Sequence, residues 1–155
     1  KIFSLTGWKV GWIEGPAELM STIAKTHQFT TFTTAPNLQK AVAYGLAKDD
    51  SYFQKLAGDM QAKRDRLGAG LERAGFEVLP SDGTYFVSAD FRPLGFNGTD
   101  EEFCRMITVE AGVTAVPVSA FFRSARVEHL ARFCFSKQDS ILDAASVKLA
   151  DYFRD

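Results

Sequence analysis

The 155-residue sequence balances 18 basic against 19 acidic side chains, and its hydrophobic and charged contents of 46% and 24% are those of an ordinary globular chain. A net charge of −1 gives no electrostatic footprint for nucleic acid and no polybasic patch for a membrane surface. No run approaches the roughly 18 apolar residues of a membrane span. Cys104 and Cys134 lack metal-ligand spacing and read as free buried thiols, which fits a reducing, cytoplasmic compartment.

In chain order, residues 1–15 are glycine-rich and irregular, with Val10–Ile13 a short strand candidate. Pro16 suits the first turn of a helix through "PAELMSTIAKTHQ", with Leu19, Ile23 and His27 on one stripe. "FTTFTTAPN" lacks helical spacing and reads as a loop, and Asn37 to Ala47 as a second helix. A long amphipathic helix follows, with Phe53, Leu56, Met60, Leu67 and Leu71 on one face, Gly68 and Gly70 interrupting it late, and Gly75 as its stop.

From Phe76 the pattern changes. "FEVLP" and "TYFVSADF" are strand candidates around the turn "SDG". Thr99 with Glu102 forms a capping-box signature for a helix closed by Gly112. "VTAVPV" is a strand that Pro117 confines to an edge or an end. "ARFCFSK" alternates, with Ala131, Phe133 and Phe135 opposite Arg132, Cys134 and Ser136, and a last helix runs from Asp139 to Phe153. Residues 1–48 therefore read as the tail of a larger domain, and residues 49–155 as an α+β unit of three or four strands with covering helices.

Two basic residues stand out chemically. Gly7 and Gly11 flank Lys9, and glycine lets the backbone take positive φ and approach a ligand closely. A lysine there presents a point charge for a phosphate, or is simply solvated in a turn. Arg132 sits in an apolar strand, where a guanidinium needs an anionic partner: a structural carboxylate, or a ligand's. His27 and His129 read as helix-face residues without catalytic duty.

Taken together, "K-x-F-S-x-T-G-W-K-x-G-W" resembles the segment around the Schiff-base lysine of class I/II pyridoxal-phosphate aminotransferases of fold type I, closest to the kynurenine/glutamine and methionine branch. "HQFTTFTTAPNLQKAVA", "GTYF", "VTAVPVSAFF" and "RFCFSK" extend the likeness along the chain. The resemblance implies that Lys1 attaches pyridoxal 5′-phosphate and that Lys9, where relatives often carry arginine, binds its phosphate. A neighbouring cation and partial desolvation would help Lys1 lose its proton. It also implies that Arg132 grips the substrate α-carboxylate, that Tyr85 lies on the substrate side, and that Phe32 reaches toward the partner's active site in a homodimer. Residues 1–48 then become the end of the large cofactor-binding domain and residues 49–155 the small α+β domain.

The implied reaction moves an amino group from an L-amino acid to a 2-oxo acid, with Phe32, Phe121 and Phe122 hinting at an aromatic or sulfur-containing donor. In the family, further cofactor contacts precede the lysine: an aspartate at the pyridine nitrogen, an asparagine and a tyrosine at the ring oxygen, and a phosphate-binding turn. The resemblance thus implies negligible activity for residues 1–155 alone. Alternatives on the same fold are a cofactor-sensing domain of a transcription regulator and a carbon–sulfur lyase; a non-catalytic folding or dimerising piece is a third. The closeness of "TGWKVGW" and "RFCFSK" to the aminotransferase branch favours the transferase.

Overall fold

The computed structural model describes residues 2–123 and 127–154. The chain divides into two compact units, one ending at Leu56 and the other starting at Ala57.

In the first unit the opening residues form turns. Val10–Ile13, the expected strand, is irregular, with no strand pairing to it among the described residues. α1 (Ala17–Thr30) starts just after Pro16, which serves as its N-cap. It runs two residues beyond its expected end. The hydroxyls of Thr22, Thr26 and Thr30 each donate to the carbonyl four residues back, which accommodates threonine inside the helix. None of its residues is buried, so Leu19, Ile23 and Phe29 stay exposed and the expected apolar stripe is not a core stripe of this unit.

α2 (Pro36–Leu46) carries proline in its first turn. Its Gly45 is buried against the ring of Phe3, where a Cβ would come within 2.8 Å of the ring. Phe3 also stacks on Tyr52, with centroids 6.1 Å apart, and meets Phe53 edge-on at 6.5 Å. The Tyr52 hydroxyl donates to the Ile2 carbonyl at 3.0 Å. The aromatic residues thus pin the glycine-rich opening to the start of the long helix α3 (Asp50–Arg73).

The second unit is an α+β layer. β1 (Glu77–Val78), β2 (Phe86–Asp90), β3 (Val116–Pro117) and β4 (Leu130–Cys134) form an antiparallel sheet ordered β1-β2-β4-β3. Pro117 lies on the edge strand β3, as its missing N–H requires. His129 is not on a helix: it lies in the bend entering β4, where its carbonyl accepts from Phe91 N and lengthens the β2–β4 pairing.

Alternation decides the faces. Val87, Ala89, Ala131, Phe133 and Phe135 are buried on one side, with Leu67 and Leu71 of α3, Phe103 of α4 (Asp100–Met106), and Leu142 and Leu149 of α5 (Asp139–Tyr152). Each fully buried valine, leucine or phenylalanine among them contributes on the order of 1.5–3 kcal/mol. Phe86, Ser88, Leu130, Arg132 and Cys134 lie on the other face, half-buried.

The capping box forms as expected: Thr99 Oγ1 accepts from Glu102 N, and Glu102 returns a carboxylate to Thr99 N at 2.9 Å. α3 ends where Gly75 takes φ +97°, a conformation costly for any residue with a Cβ. Gly68 and Gly70 do not break α3; both are buried, and a Cβ on Gly70 would meet Ser146 Cβ of α5 at 2.6 Å. Gly70→Ala should therefore lower the melting temperature despite alanine's helix propensity, with overpacking costing about 1–3 kcal/mol. Gly58→Ala in the same helix meets nothing within 4 Å and should raise it by the propensity gain of up to about 1 kcal/mol. Thermal denaturation of the two variants side by side checks the pair.

Candidate active site

Backbone strain marks the candidate positions. Among the described residues, Ser4, Lys9, Phe32 and Thr84 are the non-glycines with positive φ, at 53°, 53°, 66° and 67°. Lys9 and Phe32 are candidates themselves, and Thr84 directly precedes Tyr85. The left-handed region costs such residues on the order of 1–3 kcal/mol each, and strain of this kind gathers where side chains must be aimed.

In the first unit, a turn with Trp8 N donating to Leu5 O at 3.2 Å carries Gly7, at φ +106°, into Lys9. A cavity of about 420 Å³ opens there, lined by Phe3, Thr6, Gly7, Lys9, Gly11 and Trp12 among others. A Cβ on Gly7 or Gly11 would meet nothing within 4 Å. Among the described residues no ion pair holds Lys9, which is exposed. An uncommitted ammonium on an open, glycine-flanked turn, beside a cavity of the size small-ligand sites have, fits a phosphate-bearing cofactor such as pyridoxal 5′-phosphate. Lys1 lies outside the described residues.

A second cavity of about 360 Å³ shares Val10, Gly11, Trp12 and Val42 with the first, and Phe32 and His27 line it. The structure thus brings the Lys9 turn and Phe32 to either side of one short segment. Phe32 is 74% exposed, held out by its left-handed backbone after α1.

In the second unit, β4 presents Arg132 on the half-open face, opposite Ser88 of β2 and Val116 of β3. Its guanidinium lies between two aromatic rings, 4.0 Å from the centroid of Phe86 and 4.2 Å from that of Phe121. Phe86 pairs with Cys134, so it sits diagonally from Arg132 on the same face, within aromatic reach. Its Nε is buried and, among the described residues, has no hydrogen-bond partner. No carboxylate among the described residues pairs with it. Stacking fixes the plane of the guanidinium, and a buried donor left unmet costs about 1–3 kcal/mol until an acceptor arrives. A planar anion such as a carboxylate meets that requirement through a paired fork of hydrogen bonds.

Tyr85 is half-buried before β2, its ring 4.0 Å from that of Phe86 and packed on the core. Three contributors escape a reading of the sequence: Phe86, Asp100 and Ser119. Phe86 looks like any strand aromatic until β2 and β4 are in register. Asp100 looks like a first-turn acid of α4, yet it is fully buried and accepts from Ser119 N and Ser119 Oγ, both at 2.7 Å. Nothing local to the sequence signals that pairing.

Cys104 is buried on α4, and burial, then the Asp100 charge, push its thiol up to about 12. The thiolate is the reactive form, so at pH 8 iodoacetamide should leave Cys104 unmodified in the folded protein and modify it after denaturation, read by peptide mass. Alkylation of Cys104 in the native state would contradict this placement.

The fold of the chain has counterparts among solved aminotransferases. The chain belongs to the aminotransferase class I and II family, whose model matches residues 1–147. A solved structure of N-succinyldiaminopimelate aminotransferase from Mycobacterium tuberculosis is 43% identical with a TM-score of 0.88, over 97% of this chain and 39% of that one. Methionine aminotransferase of Escherichia coli is 37% identical, over 96% of this chain and 38% of its own length. Kynurenine–oxoglutarate transaminase 3 of Mus musculus is 39% identical, over 94% and 36%. The chain thus spans well under half the length of the relatives it matches.

Proposed function

We propose that the full-length protein is a pyridoxal 5′-phosphate-dependent aminotransferase of fold type I, transferring an amino group from an L-amino acid to a 2-oxo acid. In this reading residues 1–48 end the large cofactor-binding domain and residues 49–155 are the small domain. The observation that carries the proposal is the Arg132 guanidinium, clamped between Phe86 and Phe121 with a buried Nε unmet. Both the amino donor and the 2-oxo acid bear a carboxylate next to the reacting carbon, so one arginine serves both halves of the reaction. The flanking rings cover part of the guanidinium, and a pairing made at its buried Nε is stronger than one in open water.

When bound, the cofactor supplies the electron sink that acidifies the substrate's α C–H. Lys9 holds the phosphate from its strained turn. Lys1 is the attachment point, and its amine is the base that moves the α-proton. Tyr85 and Phe32 contribute to the substrate side, Phe32 from one protomer of a homodimer into the other's site. The exposed apolar residues of α1 and the strained, exposed Phe32 support a covering partner surface. A cytoplasmic setting belongs to the same reading and is supported by the free thiols of Cys104 and Cys134. We favour an aromatic or sulfur-containing donor, supported by the kynurenine and methionine aminotransferases among the relatives.

The test is direct. The full-length protein, loaded with pyridoxal 5′-phosphate, is offered kynurenine, methionine, phenylalanine and N-succinyldiaminopimelate with 2-oxoglutarate, and glutamate formation is measured. Glutamate formed from the aromatic or sulfur-containing donors is the expected result. Glutamate from N-succinyldiaminopimelate alone would overturn the donor preference, and none from any donor would overturn the aminotransferase reading.

A further inference from the structure

Phe121 is 58% exposed, and an aromatic side chain with so much freedom has no packing reason of its own to stay on Arg132. What holds it is the backbone that carries it. Phe121 ends a short 3-10 turn, Val118–Phe121, and Ser119 lies two residues before it. Both Ser119 donors, the backbone N–H and the hydroxyl, are taken by the buried Asp100 carboxylate, one on each oxygen at 2.7 Å. The Phe122 N–H then closes the turn onto the Ser119 carbonyl at 3.0 Å. Asp100 is itself fully buried. It is the first residue of α4, inside the Thr99–Glu102 capping box, and Phe103 and Cys104 bury the next turn in the core. Charge-assisted bonds of this kind are shorter and roughly twice as strong as neutral ones.

We propose that Asp100 and Ser119 are positioning residues for the Arg132 carboxylate site. They fix the 3-10 turn so that Phe121 presses the guanidinium against Phe86 and holds it in the carboxylate-binding orientation. This rests on the assignment of Arg132 as the carboxylate anchor. Neither residue touches substrate; both act through Phe121. A carboxylate is present in the donor, in the oxo acid and in the transition state alike, so loosening its anchor weakens uniform binding and moves KM rather than kcat.

The experiment compares Ser119→Ala, Ser119→Thr, Asp100→Asn and Arg132→Ala in the full-length, cofactor-loaded enzyme, each with melting temperature, kcat and KM for both substrates. Ser119→Ala should raise both KM values about five- to tenfold, with kcat near wild type. That is a part of the roughly 10- to 150-fold that one hydrogen bond to a charged group is worth, because its loss reaches the carboxylate only through Phe121. Ser119→Thr keeps the hydroxyl and should restore most of the loss. In the Arg132→Ala background, Ser119→Ala should add nothing further, because both act through one contact. Loss of kcat and melting temperature with KM unchanged in Ser119→Ala would mean a merely structural role and overturn the proposal. So would additive effects with Arg132→Ala. Should Asp100→Asn fail to fold, the two serine variants decide the matter alone. If Arg132→Ala itself leaves KM unchanged, the carboxylate assignment falls and this proposal with it. If Arg132→Ala raises KM and Ser119→Ala does not, only the positioning role is overturned.

Discussion

Arg132→Ala in the full-length enzyme should raise KM for the amino donor and for the 2-oxo acid together, by about 30- to 5000-fold, with a much smaller fall in kcat. The range follows from the roughly 2–5 kcal/mol lost when one partner of a desolvated, hydrogen-bonded charge pair is truncated. The split follows from the substrate carboxylate being the same group in ground and transition states. Alanine also leaves Phe86 and Phe121 facing a void where a flat cation stood, so the carboxylate would enter a site without charge. Arg132→Lys keeps the charge but has neither the fork nor the plane that stacks between two rings, and should recover only part of the loss. Steady-state kinetics against both substrates, with circular dichroism to confirm folding, is the measurement. A folded Arg132→Ala enzyme with KM within roughly twofold of wild type would remove the carboxylate assignment.

Lys1→Ala should have the larger effect on turnover. General acid–base catalysis alone is worth about 10²–10⁴-fold, and loss of the attachment point for the cofactor adds to that. Turnover should therefore drop below detection in an ordinary coupled assay, while carboxylate binding, which we assign to Arg132, should persist. A Lys1→Ala enzyme retaining more than about a tenth of wild-type kcat would show that another amine does this work.

The legible parts of the molecule are those whose cause is local. Thr99 and Glu102 announce a helix start because both partners of the reciprocal cap lie within four residues. The alternation of Ala131, Phe133 and Phe135 fixes which face of β4 is buried, and so leaves Arg132 on the open one. Pro117 locates an edge because a missing N–H cannot serve a central strand. The glycines around Lys9 point to a turn, although the left-handed residue proves to be Lys9 as well as Gly7.

What escaped is non-local. Val10–Ile13 has strand composition but no neighbouring strand, and the stripe of α1 has the spacing of a core face without being buried in its unit. Gly70 reads as a helix weakness because its reason, the close approach of Ser146, lies some 76 residues away (146 − 70). The clamp on Arg132 joins three separate segments: Phe86 on β2, Phe121 on the 3-10 turn, and Asp100 holding that turn from α4. No spacing in the sequence ties them together. The arginine is legible in the sequence, and the residues that surround it are not.

One covalent bond, between Lys1 and the cofactor, gives the most direct test. The full-length protein is loaded with pyridoxal 5′-phosphate, reduced with borohydride, digested, and its peptides mapped by mass. The reduced pyridoxyl group is predicted on Lys1, in the peptide running into "IFSLTGWK". The label on any other lysine, or on none, would contradict it.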